Sequence, residues 1–169
     1  SKTLDEVYIA TCDESVRQYA DSIGAKCIMT ADTHERATDR TAEAMLKIEA
    51  ANGRRTDIVV MIQGDEPMTL PEMIDEAIAP MKADPSVNVV NLMAHIDNIE
   101  DFEDPNEVKV VVDLMGNALY FSRAPIPFQE KGCSLSLRHQ GIYGFRRTVL
   151  LQFVNWKPTP LERAESLEQ

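Results

Sequence analysis

The stretch Ile58-Val-Val-Met-Ile62, followed at once by Gln63-Gly-Asp-Glu-Pro67, decides the fold of this chain. Five β-forming residues with almost no polarity predict a strand that is buried on both faces, as the strands of a parallel sheet are. Gly64 and Pro67 are expected to end that strand. Asp65 therefore lies just beyond the carboxyl end of a central strand, which is where open α/β sheets hold their ligands.

The carboxylate of Asp65 suits a hard cation. Magnesium is usually held by one or two carboxylates together with the phosphates of a substrate, so Asp65 is a candidate magnesium ligand. The alternative is a plain acidic turn between a strand and a helix. The pentapeptide taken alone favours that alternative, and the rest of the chain has to decide between the two interpretations.

Strands and helices alternate around this stretch in the first half of the chain, which predicts a parallel α/β sheet. The remaining elements of this half are strands at 7–11, 26–29 and 87–93 and helices at 13–23, 39–51 and 71–81. The second half reads differently, because two β-forming runs flank a Gly-Asn turn and predict a hairpin. Its elements are strands at 108–113, 118–122 and 141–145 and helices at 147–154 and from 160 to the end.

Composition narrows the class of protein. A chain of 169 residues with 44% hydrophobic residues suits one globular domain over 1–169. The net charge of 17 − 28 = −11 argues against a general nucleic-acid binder, which would present a basic face. No apolar run approaches the roughly 18 residues of a membrane span, and the start shows no signal peptide. Three widely spaced cysteines without a CxxC pair favour a reducing, cytoplasmic setting.

A polar loop that ends in Arg36-Ala-Thr-Asp-Arg40 directly precedes a predicted helix. Backbone N–H groups at a helix start, together with the positive end of the helix dipole, favour an anion or the polar edge of a base. Thr38, Asp39 and Arg40 are therefore candidate binding residues. The alternative is that Thr38 and Asp39 only cap the helix.

Candidate binding residues also flank the hairpin. Arg123 follows a strand and could pair with a carboxylate through two hydrogen bonds, although a surface salt bridge is an alternative role. Lys109 is at the start of the first hairpin strand. His139 and Tyr143 are four residues apart, and a histidine can bind an anion or carry a proton, or can be purely structural. Three glutamates at i,i+3 spacing close the chain, and such a row is usually a solvated face: Glu162, Glu165 and Glu168.

Taken in order, eight segments closely resemble the CMP-KDO synthetases, also called 3-deoxy-manno-octulosonate cytidylyltransferases. Each segment is weak evidence alone, but eight in the correct order are highly specific. They are residues 7–14, 29–40, 63–67, 104–113, 118–127, 138–145, 154–162 and 165–169.

The resemblance implies a fold and a reaction. The fold is α/β, a Rossmann-like nucleotidyltransferase with a mixed, mainly parallel sheet and a β-rich part for sugar binding and dimerisation. The reaction joins CTP and KDO to give CMP-KDO and pyrophosphate with Mg²⁺, for lipopolysaccharide biosynthesis. The sugar's 2-hydroxyl attacks the α-phosphorus. The implied protein is a cytoplasmic homodimer without nucleic-acid or membrane partners.

The resemblance also implies roles for residues. Asp65 would hold magnesium, and Asp65 and Arg123 would be the catalytic residues. Thr38, Asp39 and Arg40 would lie near the cytidine. The sugar acid would be surrounded by Arg123, His139, Tyr143, Glu168 and Gln169, with Gln63 nearby. Lys109 is a further expected substrate-binding residue.

Departures from the family leave alternatives open. The chain begins after the family's phosphate-binding loop and stops before its last segment, so both ends are expected to be incomplete. Where most members read Ser-Gly-Thr-Asp-Arg or Ser-Gly-Thr-Glu-Arg, this chain reads Arg36-Ala-Thr-Asp-Arg40. A related nucleotidyltransferase for 8-amino-KDO or sialic acid is one alternative. A binding domain without catalytic activity is another.

Overall fold

The computed structural model describes residues 1–130, 132 and 135–168. Where the sequence predicted a single domain, the backbone divides into two compact units. Unit 1 consists of Ser1–Val90 and Ile142–Trp156, and unit 2 consists of Asn91–Gly141 and Lys157–Gln169. No helix among the described residues is both long enough and apolar enough to cross a membrane.

Seven strands and six helices follow one another along the described chain. In order they are β1 (Ile9–Thr11), α1 (Glu14–Ser22), β2 (Cys27–Met29), α2 (Ala37–Asn52), β3 (Ile58–Ile62), α3 (Pro71–Ala83), β4 (Val89–His95), α4 (Ile99–Glu103), β5 (Lys109–Val112), β6 (Ala118–Ser122), β7 (Leu137–Arg146), α5 (Arg147–Phe153) and α6 (Pro160–Glu165).

Most boundaries follow from local signals in the sequence. Asp13 caps α1, because its carboxylate accepts a hydrogen bond of 2.7 Å from the Ser15 N–H. Gly24 follows that helix with φ +70°, a conformation in which side chains other than glycine are strained. Pro71 occupies the first turn of α3, where its missing N–H costs nothing.

The α/β class with mixed strand directions is confirmed, but the expectation of a mainly parallel sheet is wrong for the described pairings. In unit 1, β1 and β2 are parallel, whereas β3 pairs antiparallel with β7, with Ile58 opposite Arg146. Ile62 at the end of β3 remains 40% exposed. The apolar run indicates that the strand favours burial. It does not indicate whether the neighbouring strand is parallel or antiparallel.

The core of unit 1 lies between α2, β3, β7 and α5. Its buried members are Ala42, Met45, Met61, Tyr143, Phe145 and Leu150. Gly144 on β7 allows α3 to approach closely. A Cβ atom at this position would lie 2.9 Å from Met81 Sδ and 3.3 Å from the Ala77 carbonyl oxygen. The glycine therefore permits a helix-to-strand contact that a larger residue would push apart.

A groove of about 1450 Å³ separates β1 from β3 within unit 1. In the described registers β1 pairs only with β2, and β3 pairs only with β7, so each keeps an edge without a strand partner. The walls are largely apolar and include Val7, Ile9, Ile58, Val60 and Ile62.

Unit 2 is built on the predicted hairpin. β5 and β6 are antiparallel, with Lys109 opposite Ser122, and β5 also pairs antiparallel with β7, with Lys109 opposite Arg138. The short helix α4, which the sequence did not predict, starts at Ile99 with Asn98 as its N-cap and buries Phe102. The predicted final helix starts correctly but ends at Glu165, because Ser166 adopts the left-handed conformation with φ 51°.

Candidate active site

In unit 1 the predicted acidic turn follows β3 directly. The Glu66 N–H donates to the Gln63 carbonyl oxygen over 3.1 Å, which closes the turn around Asp65. The Asp65 side chain is exposed, and within the described part of the chain it makes no hydrogen bond or ion pair. A turn held by its own backbone does not need this carboxylate, which is therefore available to a ligand.

The groove between β1 and β3 brings three of the predicted residues to one surface. Gln63, Asp65 and Arg40 all line it. Gln63 and Asp65 reach it from the turn after β3, and Arg40 reaches it from the first turn of α2. An amide, a carboxylate and a guanidinium at one concave surface can offer donors to a nucleotide and a negative charge to a cation.

The start of α2 is organised by Arg36. Its guanidinium donates to both oxygens of Asp39, over 3.0 and 2.7 Å, and to the Val154 carbonyl oxygen over 3.1 Å. It also lies over the ring of Phe153, 5.9 Å from the centroid. Asp39 therefore serves this pair, and not the free binding edge that the sequence pattern indicated.

The other two residues of this loop are held in different ways. Thr38 is buried, with 2% of its surface exposed. Arg40 donates to the hydroxyl of Thr30 and, over 3.3 Å, to the Ala31 carbonyl oxygen, both just beyond β2. These contacts orient the Arg40 side chain across the mouth of the β2–α2 loop.

In unit 2, Lys109 lies on the central strand of the β6-β5-β7 set and is fully buried. Its ammonium donates over 2.6 Å to the Asp104 carbonyl oxygen. Burial lowers the pKa of Lys109, and the negative charges of Asp104, Glu107 and Glu165 oppose that shift. Burying an ammonium is costly unless it is hydrogen-bonded and faces opposite charge, and Lys109 meets both conditions.

Arg123 follows β6 and is held by backbone acceptors. Its guanidinium donates to the carbonyl oxygens of Glu165 at 2.8 Å, Pro105 at 2.9 Å and Ser166 at 3.2 Å. The surface salt bridge considered from the sequence is not what holds it. The side chain is therefore fixed in place. No carboxylate of the described residues forms an ion pair with its guanidinium.

The analysis of the sequence missed Glu165, which it assigned to a solvated face. The carboxylate accepts hydrogen bonds from Tyr120 Oη at 2.8 Å, Ser122 Oγ at 2.7 Å and the Arg123 N–H at 3.0 Å. These bonds, led by the Arg123 N–H, lower the pKa of Glu165. The available signal was the spacing of Tyr120 and Ser122, two hydroxyl donors on one face of a strand.

The structure separates Lys109 from His139. Register partners share a face of a sheet, and successive residues along a strand point to opposite faces. Because Lys109 is opposite Arg138, the next residue, His139, projects from the other face. There its ring packs edge-on against Phe121, with centroids 6.2 Å apart. These two predicted substrate-binding residues therefore do not share one surface of unit 2.

The remaining predicted sugar-acid residues belong to different units. Tyr143 belongs to the core of unit 1, where its ring stacks on Phe145 with centroids 6.0 Å apart. Glu168 is half-buried beyond the end of α6. Gln169 lies outside the described residues. No group of three or more His, Cys, Asp or Glu side chains within the described ranges forms a ready metal site.

Comparisons with known proteins identify the family of this chain. The sequence model of a family described as cytidylyltransferase matches residues 1–169. A 3-deoxy-manno-octulosonate cytidylyltransferase of Geobacter metallireducens is 46% identical over 178 residues, covering 98% of this chain and 68% of the relative. A protein of the same name from Thermodesulfovibrio yellowstonii is 44% identical, covering 100% of this chain and 69% of the relative.

A solved structure shows the same fold. It is that of a CMP:2-keto-3-deoxy-manno-octonic acid synthetase complexed with CTP, with a TM-score of 0.86 and 40% identity. The match covers 98% of this chain and 66% of that one, so the present chain spans about two thirds of the length of such relatives. The resemblance seen in the eight segments is confirmed, and with it the Rossmann-like fold and the nucleotidyltransferase class. The chain belongs to the cytidylyltransferase family.

Proposed function

We propose that the protein transfers CMP from CTP to the 2-hydroxyl of 3-deoxy-D-manno-octulosonate (KDO) and releases pyrophosphate. The observation that carries the proposal is the likeness, at 40–46% identity over 98% of the chain, to proteins named for this sugar acid, one of them complexed with CTP. The activity requires a surface for a nucleotide and a cationic site for a carboxylate. Unit 1 and unit 2 each offer one of these.

On the nucleotide side, the groove of unit 1 supports the proposal. Arg40 would contribute positive charge toward the phosphates or the cytosine edge, and Gln63 would contribute an amide donor and acceptor. Thr38 lies in the first turn of α2, where backbone N–H groups favour an anion. Asp39 would act through its pair with Arg36, which fixes the start of the helix.

On the sugar side, Arg123 and Lys109 in unit 2 support binding of an acid. A guanidinium with two further N–H groups can hold a carboxylate through parallel hydrogen bonds. The buried ammonium of Lys109 adds positive charge. His139, Tyr143, Glu168 and Gln169 remain proposed sugar contacts through the resemblance alone.

The exposed, unpaired carboxylate of Asp65 fits a magnesium ion that is shared with substrate phosphates. This is the usual way in which proteins bind that ion, and it does not require a cage of three protein ligands. When bound there, Mg²⁺ would neutralise phosphate charge and align the reacting groups.

The work of the protein in this reaction is positioning and charge neutralisation, as in other phosphoryl transfers. Arg123 would fix the sugar acid by its carboxylate and so restrict the direction from which its 2-hydroxyl approaches. Arg40 and the N–H groups of α2 would restrain the nucleotide. Asp65 would keep the metal at the carboxyl end of β3.

We also propose that the product serves lipopolysaccharide biosynthesis and that the enzyme is a cytoplasmic homodimer. Exposed apolar side chains on the hairpin of unit 2 support an interface: Leu114, Met115 and Leu119. Free thiols at Cys12 and Cys27 fit a reducing compartment. Light scattering of the purified protein would give the mass of the assembly.

The test is a substrate panel with the purified whole protein, CTP and MgCl₂. Release of pyrophosphate and formation of CMP-KDO by mass spectrometry are expected with KDO. If kcat/KM is higher with 8-amino-KDO or sialic acid than with KDO, that sugar acid is the substrate instead of KDO. No pyrophosphate with any of them, from protein that still binds CTP, would favour a binding domain without catalytic activity.

A further inference from the structure

A row of hydrogen-bond donors in unit 2 converges on one carboxylate. Tyr120 and Ser122 are two residues apart on β6 and therefore project from the same face. Both hydroxyls donate to Glu165 Oε1, at 2.8 and 2.7 Å, and the Arg123 N–H donates to Oε2 at 3.0 Å. Glu165 is thereby fixed at the end of β6, 42 residues away from Arg123 in the chain.

The same glutamate holds the side chain of Arg123. Its carbonyl oxygen accepts from Arg123 Nε at 2.8 Å, while Pro105 and Ser166 accept from the two terminal nitrogens. A guanidinium has five N–H groups, and these bonds use three of them within the described residues. One N–H therefore remains on each terminal nitrogen, and these two groups are available to a carboxylate.

We propose that Glu165 is a positioning residue, which acts by fixing the Arg123 guanidinium for the carboxylate of the sugar acid. The proposal rests on the function given above. Glu165 ties Arg123 through both its carboxylate and its carbonyl oxygen, so the whole residue is restrained from backbone to guanidinium. Preorganisation of this kind lowers the entropy lost when a ligand binds.

The charge of Glu165 is needed, and not only its shape. Two hydroxyls and one N–H all donate to its two oxygens. A glutamine offers one oxygen and an NH₂ group, and the NH₂ group would face donors. Glu165→Gln therefore removes at least one acceptor while it preserves the size of the side chain. The neighbouring charge of Lys109 also loses a counterion.

The test compares Glu165→Gln with Glu103→Gln in the whole protein. Glu103 is an exposed glutamate of unit 2 without a side-chain hydrogen bond among those described. Glu165→Gln is expected to raise KM for KDO about tenfold with KM for CTP unchanged. Glu103→Gln should change neither constant. Equal effects on both substrates, or loss of thermal stability alone, would reduce Glu165 to a structural role and overturn the proposal.

A double-mutant cycle asks whether Glu165 acts through Arg123. In an Arg123→Ala background, Glu165→Gln should raise KM for KDO no further, because the group that it positions is gone. Additive effects would overturn the inference. If Glu165→Gln does not fold, Tyr120→Phe serves instead, since it removes one donor and keeps the ring. If the wild-type protein releases no pyrophosphate with KDO, the proposed function is overturned. If the wild type is active but the losses in the two variants are additive, only the role of Glu165 is overturned.

Discussion

Arg36 and Asp39 form a bidentate ion pair at the start of α2, with nitrogen-to-oxygen distances of 3.0 and 2.7 Å. Both side chains are about three-quarters buried, with exposures of 24% and 25%. The pair occupies the segment in which the family usually carries a Ser-Gly dipeptide. It replaces the side-chain cap that a serine would give with an anchor to Val154 and Phe153.

Removing this anchor should destabilise unit 1. Arg36→Ala is expected to lower the free energy of unfolding by about 1–2 kcal/mol, because it leaves the Asp39 carboxylate without its donors. Arg36→Ser should cost less, since serine can cap the helix. Urea unfolding would measure both variants. Arg17, whose ion pairs are more exposed, is the control, and Arg17→Ala should cost less than Arg36→Ala.

A second ion pair makes stability depend on pH. The Arg147 guanidinium, at 2.8 Å, lowers the pKa of Glu49 from its usual 4.5 to about 2. Because the folded pKa is depressed, the stabilisation is fully present above about pH 4.5 and disappears as the pH falls toward 2. Glu49→Gln should therefore reduce the unfolding free energy at pH 7 by about 2 kcal/mol and much less near pH 2. Parallel curves for both proteins would contradict this.

Some features of the fold depend on neighbouring residues, and others depend on residues that are far away in the chain. The bounds of β3 and the turn that exposes Asp65 follow from neighbouring residues, so the sequence predicted them. The antiparallel partner of β3 depends on a strand more than 80 residues later in the chain, for which an apolar run carries no signal.

The candidate site shows the same limit. Arg123 could be found from its place after a strand, but its acceptors come from α6 and from Pro105. The role of Glu165 needs β6 as a partner, and a helical pattern of glutamates cannot supply that information. The opposite faces of Lys109 and His139 follow from a register that only the folded sheet defines.

Arg123 should matter for the sugar acid far more than for CTP. Arg123→Ala is expected to weaken the binding of KDO by on the order of 2–5 kcal/mol if the ion pair between Arg123 and the substrate carboxylate is desolvated. Each substrate would be titrated with the other saturating. Because three carbonyl oxygens also lose their donor, the thermal midpoint should fall as well. Arg123→Lys keeps the charge but not the fork, so it should recover only part of the KDO affinity.

Unchanged KDO constants in Arg123→Ala would remove this residue from the binding site. A fall in stability with both Michaelis constants intact would assign it to holding the segment after α6 alone. The carbonyl contacts of Glu165 and Ser166 make that a definite alternative outcome.

A substitution at Asp65 best distinguishes an effect on catalysis from an effect on folding. The side chain is exposed, and the turn around it is closed by the backbone bond from Glu66 to Gln63. Asp65→Asn keeps the size of the side chain and removes its charge. The variant should therefore fold with an unchanged thermal midpoint, lose about 2–4 kcal/mol of transition-state stabilisation and require more Mg²⁺. Glu76→Gln, an exposed charge on α3, is the matched control and should leave both properties unchanged.

Two measurements on the whole protein decide the role of Asp65: the thermal midpoint, and activity across a magnesium titration. A metal ligand predicts lost activity at intact stability, partly recovered by excess Mg²⁺ or Mn²⁺, because a higher concentration offsets a weaker site. A turn residue predicts a lower midpoint with full activity per folded molecule. Since the backbone closes this turn without the carboxylate, and the carboxylate is free on the wall of the groove, we expect the first result.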